Sequence, residues 1–240
     1  MSTAASSRVT SPNRDNQSRN RLIIIGIIVA AVVVALAAIL TSNNTSTGDF
    51  HSYDSLQQTR LSDGGYVIGN PGAPVTIVEF ADYSCPACQQ YQPTMDKAFD
   101  QFVRTGLAKY EYRVFPTHGG QWTAFMGNVA ECLEEQRAGA FWQAKLWLMN
   151  ETETRDFNSV RVQDVASALG LDSNKALQCS STAKRTDTDT NLGTRLGVQS
   201  TPAVLIRYGD KDPQFISGFD RGGVPFEVLA SVVQSAGAQK

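Results

Sequence analysis

Two cysteines, Cys85 and Cys88, flank Pro86-Ala87. A Cys-x-x-Cys pair closes a small disulfide when its first cysteine starts a helix. Pro86 suits the first helical position, where its missing N–H costs nothing. The Cys85 sulfur would then face the positive end of the helix and its unpaired N–H groups, and both favour a thiolate. Cys88, one turn deeper, is expected to be less exposed. The chemistry this spacing offers is thiol–disulfide exchange, with Cys85 as the nucleophile or the attacked sulfur and Cys88 resolving the mixed disulfide. Two other readings compete. Half a zinc site would need two more ligands, and Cys132, Cys179, His51 and His118 form no second compact pair. A purely structural disulfide here would close too small a loop to stabilise much.

The elements around the pair are legible. The segment Asn70-Pro71-Gly72-Ala73-Pro74 signals a turn. VTIVEFA follows it, a β-rich run short enough to be a buried strand. A helical stretch runs from the cysteines to about Val103. Ala108 to Phe115 alternates as a second strand, so strand, helix and strand form a βαβ unit. From about Gln121 to Gly193 the chain turns helix-forming. AVLIRY and QFISG restore the β pattern as a hairpin around Gly209-Asp210, and PFEVLASVVQSA closes the chain as an amphipathic helix. On the first strand Val75, Ile77 and Glu79 share a face. Glu79 is therefore expected among apolar side chains, where burial raises its pKa and lets it take a proton from Cys88. A strand-end Glu that reaches solvent is the alternative.

NPGAPVTIVEFADYSCPACQQYQP resembles the active-site strand and helix of the DsbA-like branch of the thioredoxin superfamily, and GVQSTPAVLI resembles that family's cis-proline segment. The resemblance runs from about Gly69 to the C-terminus. It implies a thioredoxin-like α/β fold with an inserted helical subdomain at about 117–193. It also implies that Glu79 is the acid behind the cysteines, that Pro93 kinks the active-site helix, and that Thr201-Pro202 is cis and faces the sulfurs, against the base rate of about 5–6% for X–Pro bonds. A cis proline there leaves the Thr201 backbone free to pair with an extended substrate segment. One departure is Ala87, where strongly oxidising members often carry His. Ala87 offers neither charge nor hydrogen bond, so a milder oxidant is expected.

Cys132 and Cys179 both fall in the helical insertion. With Cys85 and Cys88 paired to each other, they are expected to form a structural disulfide between two inserted helices; two buried free thiols are the other reading. Asp82 and Tyr83 are expected to line the substrate surface. His118 is a lone loop histidine, more often inert than functional.

The remaining features concern placement. Leu22 to Leu40 is an uncharged apolar run. As a helix it reaches about 28 Å, close to the hydrocarbon thickness of a bilayer. Arg8, Arg14, Arg19 and Arg21 against Asp15 give the first 21 residues a charge of +3, within a net charge of −2 for the chain. The positive-inside rule then puts the N-terminus in the cytoplasm and Thr41 onward outside, where disulfides persist. A signal peptide cleaved near Ala35-Leu36-Ala37 is the alternative. The domain reading is a tail at 1–21, a transmembrane anchor at 22–40, a linker and the start of the outer region at 41–65, and the thioredoxin-like domain at 66–240. Whether Phe50 to Asp63 packs onto that domain is left open. The balance of charge offers nothing to nucleic acid. No metal or soluble cofactor is implied, because two cysteines carry both electrons.

The expected function is extracytoplasmic oxidation of thiols in exported proteins. By resemblance, a quinone-linked membrane partner of the DsbB or VKOR type reoxidises the pair. A reductase of the same fold, serving cytochrome maturation or disulfide repair, and a non-catalytic thioredoxin-like binding module are the alternatives.

Overall fold

The computed structural model describes residues 53–154 and 160–238. The tail and the apolar run Leu22–Leu40 lie outside the described residues. Among those described, no helix is long and apolar enough to cross a membrane.

A six-stranded sheet forms the centre, with strands β1 (Gln58–Arg60), β2 (Tyr66–Gly69), β3 (Val75–Ala81), β4 (Lys109–Val114), β5 (Ala203–Tyr208) and β6 (Gln214–Phe215). Their order across the sheet is β1-β2-β4-β3-β5-β6. Only β3 and β4 run parallel, with Glu79 opposite Tyr112. A parallel pair needs a crossover, and helix α1 (Pro86–Ala98) supplies it, continued by a π-helical turn at Phe99–Val103. β3 is buried along its whole length, as its run of Val, Ile and Phe requires. Val75, Ile77 and Ala81 enter the larger core, whereas Val78 and Phe80 enter a smaller one with Phe115, Val198, Ala203 and Leu205. The segment left open by the sequence does join the fold. Tyr53 is buried and stacks on Phe99, and β1 pairs with β2.

Among the described residues five helices intervene between β4 and β5: α2 (Gly120–Gln136), α3 (Ala140–Thr154), α4 (Val162–Ala168), α5 (Ser173–Ser180) and α6 (Arg185–Arg195). A final helix, α7 (Phe226–Gly237), closes the described chain. Cys132 on α2 and Cys179 on α5 are joined by a disulfide whose Cα atoms stand 5.8 Å apart. α6 is anchored by charge. Arg113 on β4, fully buried, reaches Glu111 at 2.6 Å and Asp189 of α6 at 3.0 Å. The other Asp189 oxygen accepts the Val114 amide at 3.0 Å. Gly193 lets α6 lie against the sheet, since a Cβ there would stand 2.7 Å from the Phe115 ring.

Candidate active site

Cys85 is the N-cap of α1, with φ −75° and ψ 117°, and Pro86 follows as the first helical residue. No side chain caps this end, so its amides are left to the sulfur. Both cysteines are reduced. Cys85 is 7% exposed and Cys88 is fully buried, while Pro86 and Ala87 stand exposed between them. A partner thiol therefore reaches Cys85 first. Pro93 lies inside α1, as expected from the sequence.

The two sulfurs differ sharply in acidity. A hydrogen bond from Cys88 does most to pull the Cys85 thiol down, to about 5. Thr201 and the amides of Cys88 and Ala87 add to it, and partial burial opposes it. The same hydrogen bond, and then burial, push the Cys88 thiol far up. At neutral pH the reduced pair thus holds one thiolate, at Cys85, and one proton, at Cys88.

Thr201-Pro202 is cis. Both residues are buried. The Thr201 carbonyl accepts the Cys85 thiol at 3.4 Å. The structure therefore brings Cys85, Cys88 and the proline loop together.

Glu79 is 1% exposed and accepts a hydrogen bond from the Tyr110 hydroxyl. Burial pushes its carboxyl up, against the pull of Lys145 and of Tyr110. Its charge is felt at Cys88, where it helps hold the thiol protonated. Lys145, on α3, is fully buried too. Its Nζ donates to Gln92 Oε1 at 3.2 Å and lies 5.1 Å from the centre of the Tyr112 ring. Burial pushes the Lys145 amine down, opposed by Glu79 and Asp96. The pair is a carboxyl and an amine, each disfavoured as an ion and each favoured by the other's charge, behind the sulfur that must lose a proton.

The sequence did not single out Lys145. Its signal was a lone lysine in an apolar helical stretch, in step with Trp142 and Met149, both buried. Asp82 and Tyr83, expected on the substrate surface, are instead fully buried. Tyr83 stacks on Tyr112. Asp82 accepts the amides of Ser84, Thr117 and Gly119 at 2.9, 2.7 and 2.9 Å, and the Thr123 hydroxyl at 2.6 Å. A chain segment some 35 residues away folds back onto it, and this is why it is buried. Burial pushes its carboxyl up, but the bonds from Thr123 and the three amides outweigh that and hold it below the usual range. His118 is exposed on the loop after β4. Among the described residues, no group of three or more His, Cys, Asp or Glu is arranged to hold a metal.

Known proteins resemble this chain in sequence and fold. Residues 61–213 match the family model described as Thioredoxin. Disulfide bond formation protein D of Bacillus subtilis is 26% identical over 173 residues, covering 69% of this chain and 76% of that protein. The Na(+)/H(+) antiporter NhaA 3 of Salinispora tropica is 33% identical over 112 residues, 46% of this chain but only 16% of the antiporter. Among solved structures, alpha-DsbA1 of Wolbachia pipientis superposes with a TM-score of 0.59 at 21% identity, covering 73% of this chain and 92% of that one. At that identity the likeness concerns the fold.

Proposed function

This chain belongs to the thioredoxin family, as a thiol:disulfide oxidoreductase, and from that premise we propose that it oxidises thiols of exported proteins, through Cys85 and Cys88, from an N-terminal anchor at Leu22–Leu40. The observation that carries this direction is the setting of Cys85, at the uncapped start of α1 and against Thr201, which holds its thiol low. A thiolate stabilised in the reduced protein makes reduction of its disulfide more favourable. A thiol drawn from 9.0 to about 5 favours the reduced form at pH 7 by roughly a hundredfold, up to about 60 mV.

A substrate thiolate attacks Cys85 Sγ of the oxidised pair; the Cys85–Cys88 bond breaks and its electrons leave on Cys88, which takes a proton. Glu79, behind Cys88, serves as the proton store. A second substrate thiolate attacks the substrate sulfur of the mixed disulfide and releases Cys85 as a thiolate. Two electrons have passed to the protein, and the substrate holds a new disulfide. Thr201 presents its backbone to the substrate segment. Reoxidation re-forms the Cys85–Cys88 bond, releases the Cys88 proton and passes both electrons on to a quinone-linked membrane partner. Cys132 and Cys179 take no part and brace the insertion.

The test mixes oxidised protein with a reduced, unfolded two-cysteine substrate. Substrate disulfide is expected to form as the Cys85–Cys88 bond disappears, mole for mole, with the C85S variant inert. If the substrate stays reduced while the reduced protein readily opens substrate disulfides, the reductase reading replaces this one.

A further inference from the structure

Thr117 follows β4 on the exposed rim of the site. Its amide is fixed on Asp82 at 2.7 Å. Gly119, next but one, also donates its amide to Asp82, and a Cβ on Gly119 would collide with Ser84 and Thr123 side-chain oxygens. The loop is therefore held against the turn that carries Cys85. From this position the Thr117 hydroxyl lies 2.5 Å from the Thr201 hydroxyl and 3.4 Å from Asp82 Oδ2.

Thr117 has one hydroxyl hydrogen to place. The Asp82 oxygen already receives two amides at 2.7 and 2.9 Å, and the hydroxyl reaches it only at the long limit of a hydrogen bond. The contact to Thr201 is the shorter one, and either hydroxyl can supply its hydrogen. Only one hydrogen can lie between the two hydroxyl oxygens; with Thr117 as its donor, the Thr201 hydrogen is left to point elsewhere. Thr201 stands against Cys85. When Cys85 ionises, it no longer donates to the Thr201 carbonyl, and a hydroxyl donor is what the bare sulfur lacks.

We propose that Thr117 is a positioning residue: anchored by Asp82, it donates its hydroxyl hydrogen to Thr201 and so turns the Thr201 hydroxyl toward the Cys85 thiolate. Donating through a chain of hydroxyls also polarises the last donor. Asp82 acts on the sulfur only by holding the Thr117 amide and so placing the Thr117 hydroxyl. Thr201 is itself among the groups that draw the Cys85 thiol down. The inference rests on the thiol–disulfide reading of the site.

The experiment follows alkylation of Cys85 by iodoacetamide against pH in the reduced full chain, in detergent, for the native protein and for T117V, T117S, T201V and T117V/T201V. T117V is expected to move the midpoint up by roughly half a pH unit, the scale of part of one hydrogen bond. T117S restores it. In the T201V background T117V adds nothing further, because the relay has lost its last member. Thr117 is exposed, so T117V and T117S should melt with the native protein. An unmoved midpoint in T117V, or the same displacement persisting in the T201V background, overturns the proposal. Alkylation reads the sulfur alone, with no substrate protein and no assumed direction of electron flow. A failed oxidase assay with a shifted T117V midpoint would sink only the oxidase reading; working exchange with an unmoved midpoint would sink only the relay.

Discussion

Cys85 and Thr201 are 116 positions apart in the chain and 3.4 Å apart at the thiol and the carbonyl oxygen. That contact joins the helix start to the proline loop and defines the working face of the domain. Cys88, Glu79, Tyr110 and Lys145 are all buried. Substrate meets the thiolate, and the proton is managed from the core.

The pairing of Glu79 with Lys145 makes a testable statement about coupling. Glu79→Gln removes the proton store and is expected to slow exchange by about a hundredfold, the lower end of general acid–base effects. Lys145→Met removes the nearby cation that favours the Glu79 carboxylate and should destabilise the protein wherever that carboxyl would be ionised. The double variant should cost less than Lys145→Met alone, since no charge is then left unpaired. Urea unfolding of the three variants, with stopped-flow exchange rates, checks this. Simple additivity would show that the two groups do not interact.

The pH dependence has a definite sign. The folded Glu79 carboxyl is raised above its ordinary value by burial. Such a group binds its proton more tightly folded than unfolded, so its contribution to stability is full below the ordinary carboxylate range and declines as pH rises through the folded value. Glu79→Gln should therefore flatten the fall in stability above that range. Unfolding free energies between pH 4 and pH 8 give the comparison, and a parallel loss in both proteins would contradict it.

The disulfide between Cys132 and Cys179 spans 47 residues. Replacing both cysteines by Ala should destabilise the protein by about 4 kcal/mol in the chain-entropy view, while leaving the Cys85 titration where it was. Denaturant midpoints and alkylation profiles test the two halves separately.

Arg113 is the pivot of the buried charge cluster, with Glu111, Asp189 and Asp63 on its three nitrogens. Arg113→Met would leave the fully buried Glu111 with Arg207 alone and Asp189 with Arg185 alone as cationic partners, and is expected to cost about 3 kcal/mol, the lower end of the range for a broken buried ion pair. Chemical denaturation measures it, and a loss under 1 kcal/mol would mean that the cluster contributes little.

Much of this design is legible in the sequence. VTIVEFA, Cys85-Pro86-Ala87-Cys88 and the next alternating run carry their own periodicity, and β3, α1 and β4 fall where these place them. Glu79 was readable because a strand's two-residue period put it on the face of Val75 and Ile77. α6 was not distinguished within the helical region. Its sequence, RTDTDTNLGTR, is rich in residues that favour turns over helix interiors, and it is held by tertiary contacts: Asp189 on Arg113, Gly193 on Phe115. Asp82 was visible as a residue but not as a buried one, because its partners Thr117, Gly119 and Thr123 come from a loop and helix beyond β4. Charge pairs such as Glu79 with Lys145 leave no mark in either segment alone.

The central claim is that the Cys85–Cys88 pair is poised as a disulfide donor, and the reduction potential of that pair in glutathione buffers tests it most directly, with Cys132–Cys179 followed separately by mass. The account predicts a value of about −120 to −180 mV at pH 7, the range of known oxidants. It further predicts a slope of about −30 mV per pH unit above pH 5, where Cys85 holds no proton, steepening to about −59 mV below it. A value near −270 mV, as in thioredoxin, with the steeper slope persisting to pH 8, would contradict it and make the protein an electron donor.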